Sequence, residues 1–533
     1  MRPTIEKNDI IASFFDLFGS VCYFLPMFRK ESLILAALIL VKAILMVELI
    51  LRGPIGLGPD EAQYWTWSQN LDWGYYSKPP GIAWQIWLGT QLFGSNPLGV
   101  RFFSILIGSL LPILIYVTAQ RSSVSPKWAL CGAVAFALSP MGILSSLFAI
   151  TDGGMLLFWT ACLAYLGPSL FEKKTPNYLI VGFLIGCGAL FKWPIYFLWI
   201  LLLVCWPFHR WMVSSQALLG LGISLLGLLP SVYWNSQHDF ATFRHVFSTV
   251  SGGHGRGSGL FAGNPLEFIG SQLAIASPIL FILICAALFL AFRRYRQISP
   301  PIQFFALATA VILLGGFGMS LFMKMQGNWP IAAYPSAFVL LSWFIQDNSK
   351  AYRWTVAGVA LSVALTLAAF AIPTLQEQSI TGQIPYKVNP FRHNIGWGQL
   401  DSALTKAGYH PAADALISDK YQTVSELSFY GPEQNMAHFF NLMGVRKNQF
   451  SYWPKLTSQS GKRCFFVVVE NIPQLNDPTL TTNYLERLAP YFGSVRLVEI
   501  APLFLANGSV SKGALIFECL DFKGKYPVDP DLY

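Results

Sequence analysis

The composition of the chain identifies it as a membrane protein. Of its 533 residues, 54% are hydrophobic and only 12% are charged, whereas soluble domains carry about a quarter charged residues. The formal net charge of +9 would suit a nucleic-acid-binding protein, but much of the lysine and arginine stands in short stretches between apolar runs, as in cytoplasmic loops of membrane proteins. Nucleic acid is therefore excluded as a partner, and membrane lipids are expected around the chain.

In chain order, the sequence predicts a polytopic α-helical membrane protein with about eleven spans. Residues 1–31 are predicted as a cytoplasmic or interfacial segment, in which 10–28 form an interfacial helix or, alternatively, a short extra span. Residues 32–374 are predicted as the transmembrane catalytic domain. Its apolar runs lie at 32–51, 98–120, 127–149, 153–170, 178–191, 194–208, 215–234, 266–292, 302–323, 329–346 and 353–373.

The remaining segment, 375–533, is predicted as a soluble α/β domain, because its composition is mixed and its apolar runs are short. The stretches CFFVVVE at 464–470 and ALIFECLDF at 514–522 are typical of strands, and TTNYLERLAPYF at 481–492 is typical of a helix. Each predicted strand contains one cysteine. The two cysteines either form a disulfide outside the cytosol or remain free thiols.

The charges of the connecting segments predict the orientation in the membrane. One set of connectors is basic and is predicted to face the cytoplasm. The other set, which includes the loops 52–97 and 235–265, is less basic and is predicted to lie on the opposite side with the C-terminal domain. The unusual polar residues of this second face come from separate connectors, as expected of an enzyme site on a helical scaffold. They are Asp60, Glu61, Lys78, Asp152, Lys192, Gln237, His238, Arg244, Lys324 and Asn328.

The stretch GPDEAQYWTWSQNLDWGYYSKPPG at 58–81 combines acidic residues, aromatic residues and a Lys-Pro-Pro turn. Pro59 suits the first turn of a helix, with Asp60 and Glu61 at its positive end. The aromatic residues are typical of a helix that lies on the membrane surface. A carboxylate at a membrane edge is costly and usually functional, so Asp60 is a candidate site residue. Asn96, which precedes a proline, is predicted to cap the next span.

Six motifs occur in order and together span most of the chain. They are DEAQYWTWSQNLDWGYYSKPPG at 60–81, ITDGGMLLFW at 150–159, LFKWP at 190–194, YWNSQHDFATF at 233–243, GNWPIAAYP at 327–335 and YQTVSELSFYGP at 421–432. This ordered set resembles the GT-C glycosyltransferases, and within them the bacterial protein-mannosyltransferase-like group. That group includes the lipid A aminoarabinose transferase and the lipopolysaccharide galacturonic acid transferases.

The resemblance implies a polyprenyl-phosphate-linked sugar donor and an inverting transfer at the periplasmic face of the bacterial inner membrane. It implies lipid A or another glycolipid as the acceptor, with a protein O-glycosyltransferase of the same fold as the alternative. Asp60 is the candidate base for an acceptor hydroxyl; for a phosphate acceptor it would instead orient the acceptor or the sugar. Lys78 matches the lysine of the family's aromatic-Lys-Pro turn and is the candidate ligand of the donor phosphate.

Further site residues are predicted with a structural alternative beside several of them. Lys192 is a second phosphate ligand or a lysine that snorkels at the end of a span. Glu61 is a catalytic partner or only a favourable charge at a helix start. Asp152 is a second catalytic carboxylate near Asp60 or a helix cap, and Asn328 is a site residue or a helix cap. His238 contacts the donor or a metal, or is ordinary polar surface. The complete set adds Arg244 as a phosphate ligand and Tyr64, Tyr76, Gln237, His238 and Asn328 as substrate-binding residues.

Two features leave the chemistry open. Ser77 precedes Lys78 at a position that is acidic in relatives of the aminoarabinose type. No cofactor is therefore predicted with certainty, and a divalent metal ion stays an open alternative. The glycine-rich stretch SGGHGRGSGLFAG at 251–263 is either a lid over the donor or a flexible linker.

Two other classes of protein are weighed against the enzyme. A lipid or solute transporter would place ionisable groups near the middle of the bilayer, whereas the predicted span centres are almost free of charge. A membrane-anchored binding protein would leave the acidic residues of the first loop unexplained. The sequence therefore favours a glycosyltransferase.

Overall fold

The computed structural model describes residues 29–250, 263–379, 384–456, 459–471 and 474–533. The predicted interfacial segment at 10–28 lies outside the described residues, as does almost all of the glycine-rich stretch.

The first part of the chain is built of helices. They are α1 (Lys30–Arg52), α2 (Pro59–Gln69), α3 (Gly81–Phe93), α4 (Pro97–Gln120), α5 (Pro126–Ala137), α6 (Pro140–Leu147), α7 (Thr151–Glu172), α8 (Tyr178–Ala189), α9 (Phe197–Cys205), α10 (Gln216–Leu225), α11 (Leu229–Gln237), α12 (Ala241–Val250), α13 (Pro265–Ala276), α14 (Pro278–Arg293), α15 (Pro300–Ser320), α16 (Ala333–Gln346) and α17 (Ser349–Glu377).

Within the described residues, six helices are long and apolar enough to cross a membrane, and two bent pairs raise the number to eight. The prediction of a polytopic helical membrane protein is therefore confirmed, while the count of about eleven spans stays a prediction. Helices α1 and α17 bury only 28% and 22% of their apolar windows against the protein. Their exposed faces carry large apolar side chains, which is the surface that lipid chains would cover.

Two predicted spans are bent rather than straight. The axes of α5 and α6 differ by 61°, and those of α13 and α14 differ by 102°. The second helix of each pair begins with a proline, Pro140 or Pro278, whose ring removes an N–H donor and clashes with the preceding turn. At the sharper bend Ser277 also has a φ of 73°, which a regular helix does not allow. Hydropathy alone does not reveal such bends.

A lysine lies in the middle of α1 and is satisfied by backbone carbonyl groups. Lys42 is 6% exposed, and its Nζ donates to the carbonyl oxygen atoms of Gly142 at 2.8 Å and Gly108 at 3.2 Å. Gly108 lies on α4 and Ser146 on α6. A Cβ atom on Gly108 would lie 2.7 Å from the Cα atom of Ser146, so the glycine lets α4 and α6 approach closely. Lys42 is therefore a hydrogen-bonded exception to the nearly charge-free span centres that the sequence predicts.

The predicted cap at Asn96 is confirmed. Its Oδ1 accepts hydrogen bonds from the backbone N–H groups of Leu98 and Gly99, both at 3.0 Å. Pro97 occupies the first helical position, where the missing N–H has no partner to lose. The sequence predicts this helix start clearly, because a capping residue and a proline that both favour the first helical turn stand next to each other.

We expect Asn96→Ala to lower the free energy of unfolding by about 1 kcal/mol, because two N–H groups at the helix start lose their acceptor. Thermal unfolding in detergent measures the effect. Asn96→Asp is the matched control, since it keeps an acceptor oxygen and should unfold close to the wild type. Equal melting temperatures for the alanine variant and the wild type would contradict the capping role.

The C-terminal part of the chain forms a mixed five-stranded sheet of order β2-β1-β3-β5-β4. Strand β1 is parallel to β2 and β3, whereas β5 is antiparallel to β3 and β4. Three helices accompany the sheet. The elements are α18 (Leu400–Lys406), β1 (Ala415–Ser418), α19 (Tyr421–Tyr430), β2 (His438–Phe439), β3 (Cys464–Asn471), α20 (Pro478–Leu488), β4 (Phe492–Ala506) and β5 (Ser509–Phe522). Both predicted strands and the predicted helix are present.

The two faces of the sheet bury different helices. Phe465 and Val467 of β3 pack in the core that contains α19, whereas alternate residues of the strand pack in the core that contains α20, as the two-residue period of a strand requires. Cys464 and Cys519 face each other in the β3–β5 register. Both are buried free thiols in the structure.

Helix α2 lies between the membrane helices and the C-terminal domain. Trp65 is 2% exposed, and its ring meets that of Phe429 on α19 edge-on at 5.0 Å. The Leu57 N–H donates to the Tyr430 hydroxyl at 2.6 Å. The prediction that these aromatic residues form a membrane-surface belt is therefore wrong for the buried rings, because they pack against α19. The Trp65–Phe429 contact and the Leu57–Tyr430 hydrogen bond join the start of the first long loop to the C-terminal part of the chain.

Candidate functional site

Two adjacent carboxylates stand at the start of α2 in different surroundings. Gly58 is the cap with extended backbone, and Pro59 is the first helical residue. Successive side chains on a helix point about 100° apart, so Asp60 and Glu61 leave the helix in different directions. Asp60 is exposed, whereas Glu61 is 2% exposed.

Glu61 is the anchor of this loop. Its Oε1 and Oε2 accept hydrogen bonds from Arg101 Nε at 2.9 Å and Nη2 at 2.6 Å. Oε1 also accepts from the Ala149 N–H at 2.9 Å, and Oε2 from the Gly58 N–H at 3.1 Å. The carboxylate thus joins α2, α4 and the segment that leads into α7. This geometry favours a positioning role, and the catalytic role of Glu61 stays a prediction.

Three predicted site residues from distant parts of the chain form one hydrogen-bonded group. Asp152 Oδ1 accepts from Lys192 Nζ at 2.7 Å, and Oδ2 accepts from Asn328 Nδ2 at 3.3 Å. Asn328 stands at a cap position but makes no side-chain capping bond. The cap of α7 is Ile150 rather than Asp152, and the Lys192 side chain is only 18% exposed. The hydrogen bonds among these side chains disfavour the capping and snorkelling alternatives, and the site roles of the three residues stay predictions.

The Lys78 turn is fixed beside this group. The Tyr75 N–H donates to the Lys78 carbonyl oxygen at 3.1 Å, and the Gly81 N–H donates to the Leu190 carbonyl oxygen at 2.7 Å. A Cβ atom on Gly81 would lie 2.6 Å from that oxygen, so a larger residue would push the turn away. Since Lys192 follows Leu190 by two residues, this contact brings the two lysines to the same place.

The electrostatics connect Asp60 with these cations. Desolvation raises the pKa of Asp60, Lys78 and Arg446 oppose the rise, and Glu61 adds to it. One side of the Asp60 residue is exposed to solvent. The surrounding protein on its other sides accounts for the desolvation of the carboxylate. Desolvation also lowers the pKa of Lys78, and repulsion from Lys192 adds to the effect. A carboxylate of raised basicity therefore stands beside closely spaced cations.

The C-terminal domain contributes two residues that the sequence did not predict. Tyr421 is the first residue of α19. Desolvation raises its pKa, the charge of Asp60 adds to the rise, and the charge of Arg446 opposes it. Tyr421 opens the last of the six motifs, so a signal for it existed. Arg446 lies in the segment between β2 and β3 and carries no recognisable motif. We call the group of Asp60, Lys78, Asp152, Lys192, Tyr421 and Arg446 the Asp60 site.

The two tyrosines that the sequence assigns to substrate binding line this site. Tyr64 is 4% exposed, and its pKa is raised by desolvation and by the charges of Asp60 and Asp152. Tyr76 precedes the Lys78 turn, and its ring lies 5.9 Å from the Arg446 guanidinium carbon. Both are therefore placed as linings of the Asp60 site, and their binding roles stay predictions.

Of three predicted residues in the loop 235–265, two have partners elsewhere and one is exposed. The His238 ring stacks on Trp234 at 4.0 Å, and Gln237 is exposed at the end of α11. Arg244 is exposed, and its Nη1 donates to the Tyr533 hydroxyl at 3.1 Å. Neither His238 nor Arg244 is among the groups that shift the pKa of Asp60 or Lys78. The structure therefore does not bring His238 and Arg244 into the Asp60 site, and the binding role of Gln237 stays a prediction.

The residues of the site do not form a metal-binding group. Across the described ranges, there is no cluster of three or more His, Cys, Asp or Glu side chains that could hold a metal ion. The Asp152 carboxylate is paired with the Lys192 ammonium group. The residue before Lys78 is Ser77, which has no carboxylate that could bind a metal ion. The arrangement therefore places a carboxylate next to cations, which is what a general base and the ligands of an anion would require.

Comparison with known proteins relates this arrangement to glycosyl transfer. Residues 77–234 match the dolichyl-phosphate-mannose-protein mannosyltransferase family. The chain is 29% identical over 382 residues to the lipid A galacturonosyltransferase RgtD of Rhizobium johnstonii, which covers 70% of this chain and 76% of that relative. It is 30% identical over 193 residues to the undecaprenyl phosphate-alpha-4-amino-4-deoxy-L-arabinose arabinosyl transferase of Pseudomonas aeruginosa, which covers 33% of this chain and 35% of that relative.

A solved structure shows the same fold. The crystal structure of ArnT from Cupriavidus metallidurans in the apo state has a TM-score of 0.63 and 15% sequence identity, covering 91% of this chain and 97% of that one. The same values hold for its complex with undecaprenyl phosphate. With the named relatives being glycosyltransferases, the transporter and binding-protein alternatives no longer apply. The chain is therefore a polytopic membrane glycosyltransferase with the fold of that structure, and its residues 77–234 match the dolichyl-phosphate-mannose-protein mannosyltransferase family.

Proposed function

We propose that this enzyme transfers a sugar from a polyprenyl-phosphate donor to lipid A or another glycolipid at the periplasmic face of the bacterial inner membrane. The observation that carries the proposal is the convergence of Asp60, Lys78 and the Asp152–Lys192 pair at one end of the helices. The basic connectors lie at the opposite helix ends, and the positive-inside rule assigns those ends to the cytoplasm.

The proposed reaction uses each part of the site. Asp60 accepts the proton of an acceptor hydroxyl while the acceptor oxygen bonds to the anomeric carbon. The bond from that carbon to the donor phosphate breaks, and the phosphate leaves with the electron pair. Lys78 stabilises the charge that develops on the phosphate. Attack opposite to the leaving group inverts the anomeric centre.

The pair of Asp152 and Lys192 serves the same step. Its hydrogen bond at 2.7 Å neutralises one carboxylate and one cation, so the pair adds polar groups to the site without adding net charge. Asn328 fixes the second oxygen of Asp152. We assign this group to the orientation of the donor sugar, whose hydroxyl groups need donors and acceptors in fixed positions.

The relatives suggest the donor and the acceptor classes. The printed names describe a galacturonosyl transfer to lipid A in one relative and a transfer from an undecaprenyl-phosphate aminoarabinose donor in another. We therefore propose an undecaprenyl-phosphate sugar as the donor and lipid A as the acceptor. Protein O-glycosylation is the second candidate, because the matching family is described as protein mannosyltransferase.

Purified enzyme tests this proposal directly. With an undecaprenyl-phosphate-linked sugar and lipid A, we expect mass spectrometry to find one sugar added to lipid A for each undecaprenyl phosphate released. The same reaction with protein or peptide in place of lipid A tests the second candidate. Transfer to the protein alone would replace the glycolipid proposal, and release of the sugar to neither acceptor would contradict both.

The raised pKa of Asp60 predicts the acid side of the pH–rate profile. As a base Asp60 must be deprotonated, so the rate should fall as the pH falls through its pKa, which lies above the ordinary value of about 3.9. The donor is a phosphodiester and stays a monoanion over this range, so its ionisation does not cause the fall. Initial rates of transfer measure it. A decline only near the pH of an ordinary aspartate, or the same decline in the residual activity of Asp60→Asn, would contradict the role as base.

A further inference from the structure

The positive charges of the Asp60 site exceed its available negative charges. Lys192 is paired with Asp152 at 2.7 Å. Among the ion pairs that the described residues form, neither Lys78 nor Arg446 has a carboxylate partner. These two cations therefore face the single carboxylate of Asp60, and each is near enough to lower its pKa. Such an unbalanced arrangement is a site for an anion.

Arg446 is held in place from two sides. Its Nη1 lies 3.3 Å from His245 Nδ1. Arginine has no acceptor, so it donates this bond and His245 carries its proton on Nε2. On the other side the guanidinium carbon lies 5.9 Å from the centre of the Tyr76 ring. Arg446 thus links the C-terminal domain to α12 and to the loop that carries Lys78.

The segment that carries Arg446 is also docked on that loop. The Tyr76 N–H donates to Gln449 Oε1 at 2.7 Å, and Gln449 is 1% exposed. Since Tyr76 is two residues from Lys78 and Gln449 is three residues from Arg446, this buried bond fixes the spacing of the two cations. A fixed pair of cations needs no reorganisation when charge develops between them.

We propose that Arg446 is the second ligand of the donor phosphate and acts together with Lys78. This inference rests on the proposed function and adds a residue of the C-terminal domain to its catalytic step. The donor phosphodiester carries one negative charge. When the bond to the anomeric carbon breaks, the leaving phosphate keeps the electron pair and becomes a monoester with nearly two negative charges at neutral pH. Two cations match this product better than one.

Binding of undecaprenyl phosphate to the purified full-length enzyme tests Arg446, because this lipid is the proposed leaving group. We expect Arg446→Ala to weaken the affinity by about 10- to 100-fold, as for a hydrogen bond to a charged group. Arg446→Lys should recover part of the affinity because it keeps the charge. Undecaprenol, which has no phosphate, should bind the wild type and both variants equally.

Arg294→Ala is the matched control, since Arg294 is exposed directly after α14, among the basic connectors at the opposite helix ends. It should bind both lipids as the wild type does. Unchanged binding of undecaprenyl phosphate by Arg446→Ala, or an equal loss for both lipids, would overturn the inference and leave the proposed function standing. A wild-type enzyme that does not distinguish undecaprenyl phosphate from undecaprenol would overturn the proposed function as well.

Discussion

Asp60→Asn is expected to reduce sugar transfer by about 10²- to 10⁴-fold, the range that a positioned general base contributes. The amide keeps the shape of the side chain but accepts no proton. The protein should stay folded, because desolvation disfavours the charged form of Asp60 and a neutral side chain avoids that cost. Initial rates with purified enzyme measure the loss, and thermal unfolding in detergent verifies the fold.

Asp401→Asn is the control for this substitution. Asp401 is an exposed residue of α18 in the C-terminal domain, so the same chemical change there should leave transfer unaltered. Normal transfer by Asp60→Asn would exclude Asp60 as the base. If only a phosphate acceptor were used, the loss would be smaller, and the acid side of the pH profile would follow the second ionisation of the acceptor phosphate at a pKa of about 6.

Glu61→Gln is expected to lower the free energy of unfolding by about 3–5 kcal/mol, because it leaves the Arg101 guanidinium buried without its counter-charge. The Arg101 side chain is fully buried and that of Glu61 is 3% exposed. The loss should appear as a lower melting temperature in detergent. Activity should fall too, since Glu61 also holds the Ala149 N–H, three residues before Asp152.

The double variant Glu61→Gln/Arg101→Met separates positioning from catalysis. It removes both charges, and neutral replacement of a buried pair is often tolerated. Arg101 already lies 5.2 Å from the Phe148 ring centre, so an apolar side chain suits the place. We expect the double variant to be more stable than Glu61→Gln and to recover part of the activity. A Glu61→Gln enzyme with wild-type stability and no transfer would show that Glu61 acts chemically.

Local signals predicted many elements of this fold. The cap at Asn96, the helix start at Pro59 and the strands that contain Cys464 and Cys519 all follow from short-range patterns, and the structure contains each of them. Hydropathy predicted the helical membrane part for the same reason. These features depend on neighbouring residues alone, so the sequence carries them directly.

Long-range contacts account for what the sequence did not predict. The aromatic side chains of α2 look like a membrane belt until α19 is known to pack on them. Asp152 and Asn328 resemble caps, and only tertiary structure shows their hydrogen bond across 176 residues. Arg446 reaches the site because the loop between β2 and β3 docks on Tyr76, and no local pattern marks such a residue.

Mass spectrometry of lipid A and surface glycoproteins is the most direct test of the central claim. Cells that carry the wild type, cells that lack the chain and cells that carry Asp60→Asn should be compared. We expect lipid A or another envelope glycolipid to keep one sugar in the wild-type cells and to lose it in the other two. Glycolipids that are identical in all three, together with a glycoprotein that loses its sugar, would contradict the account.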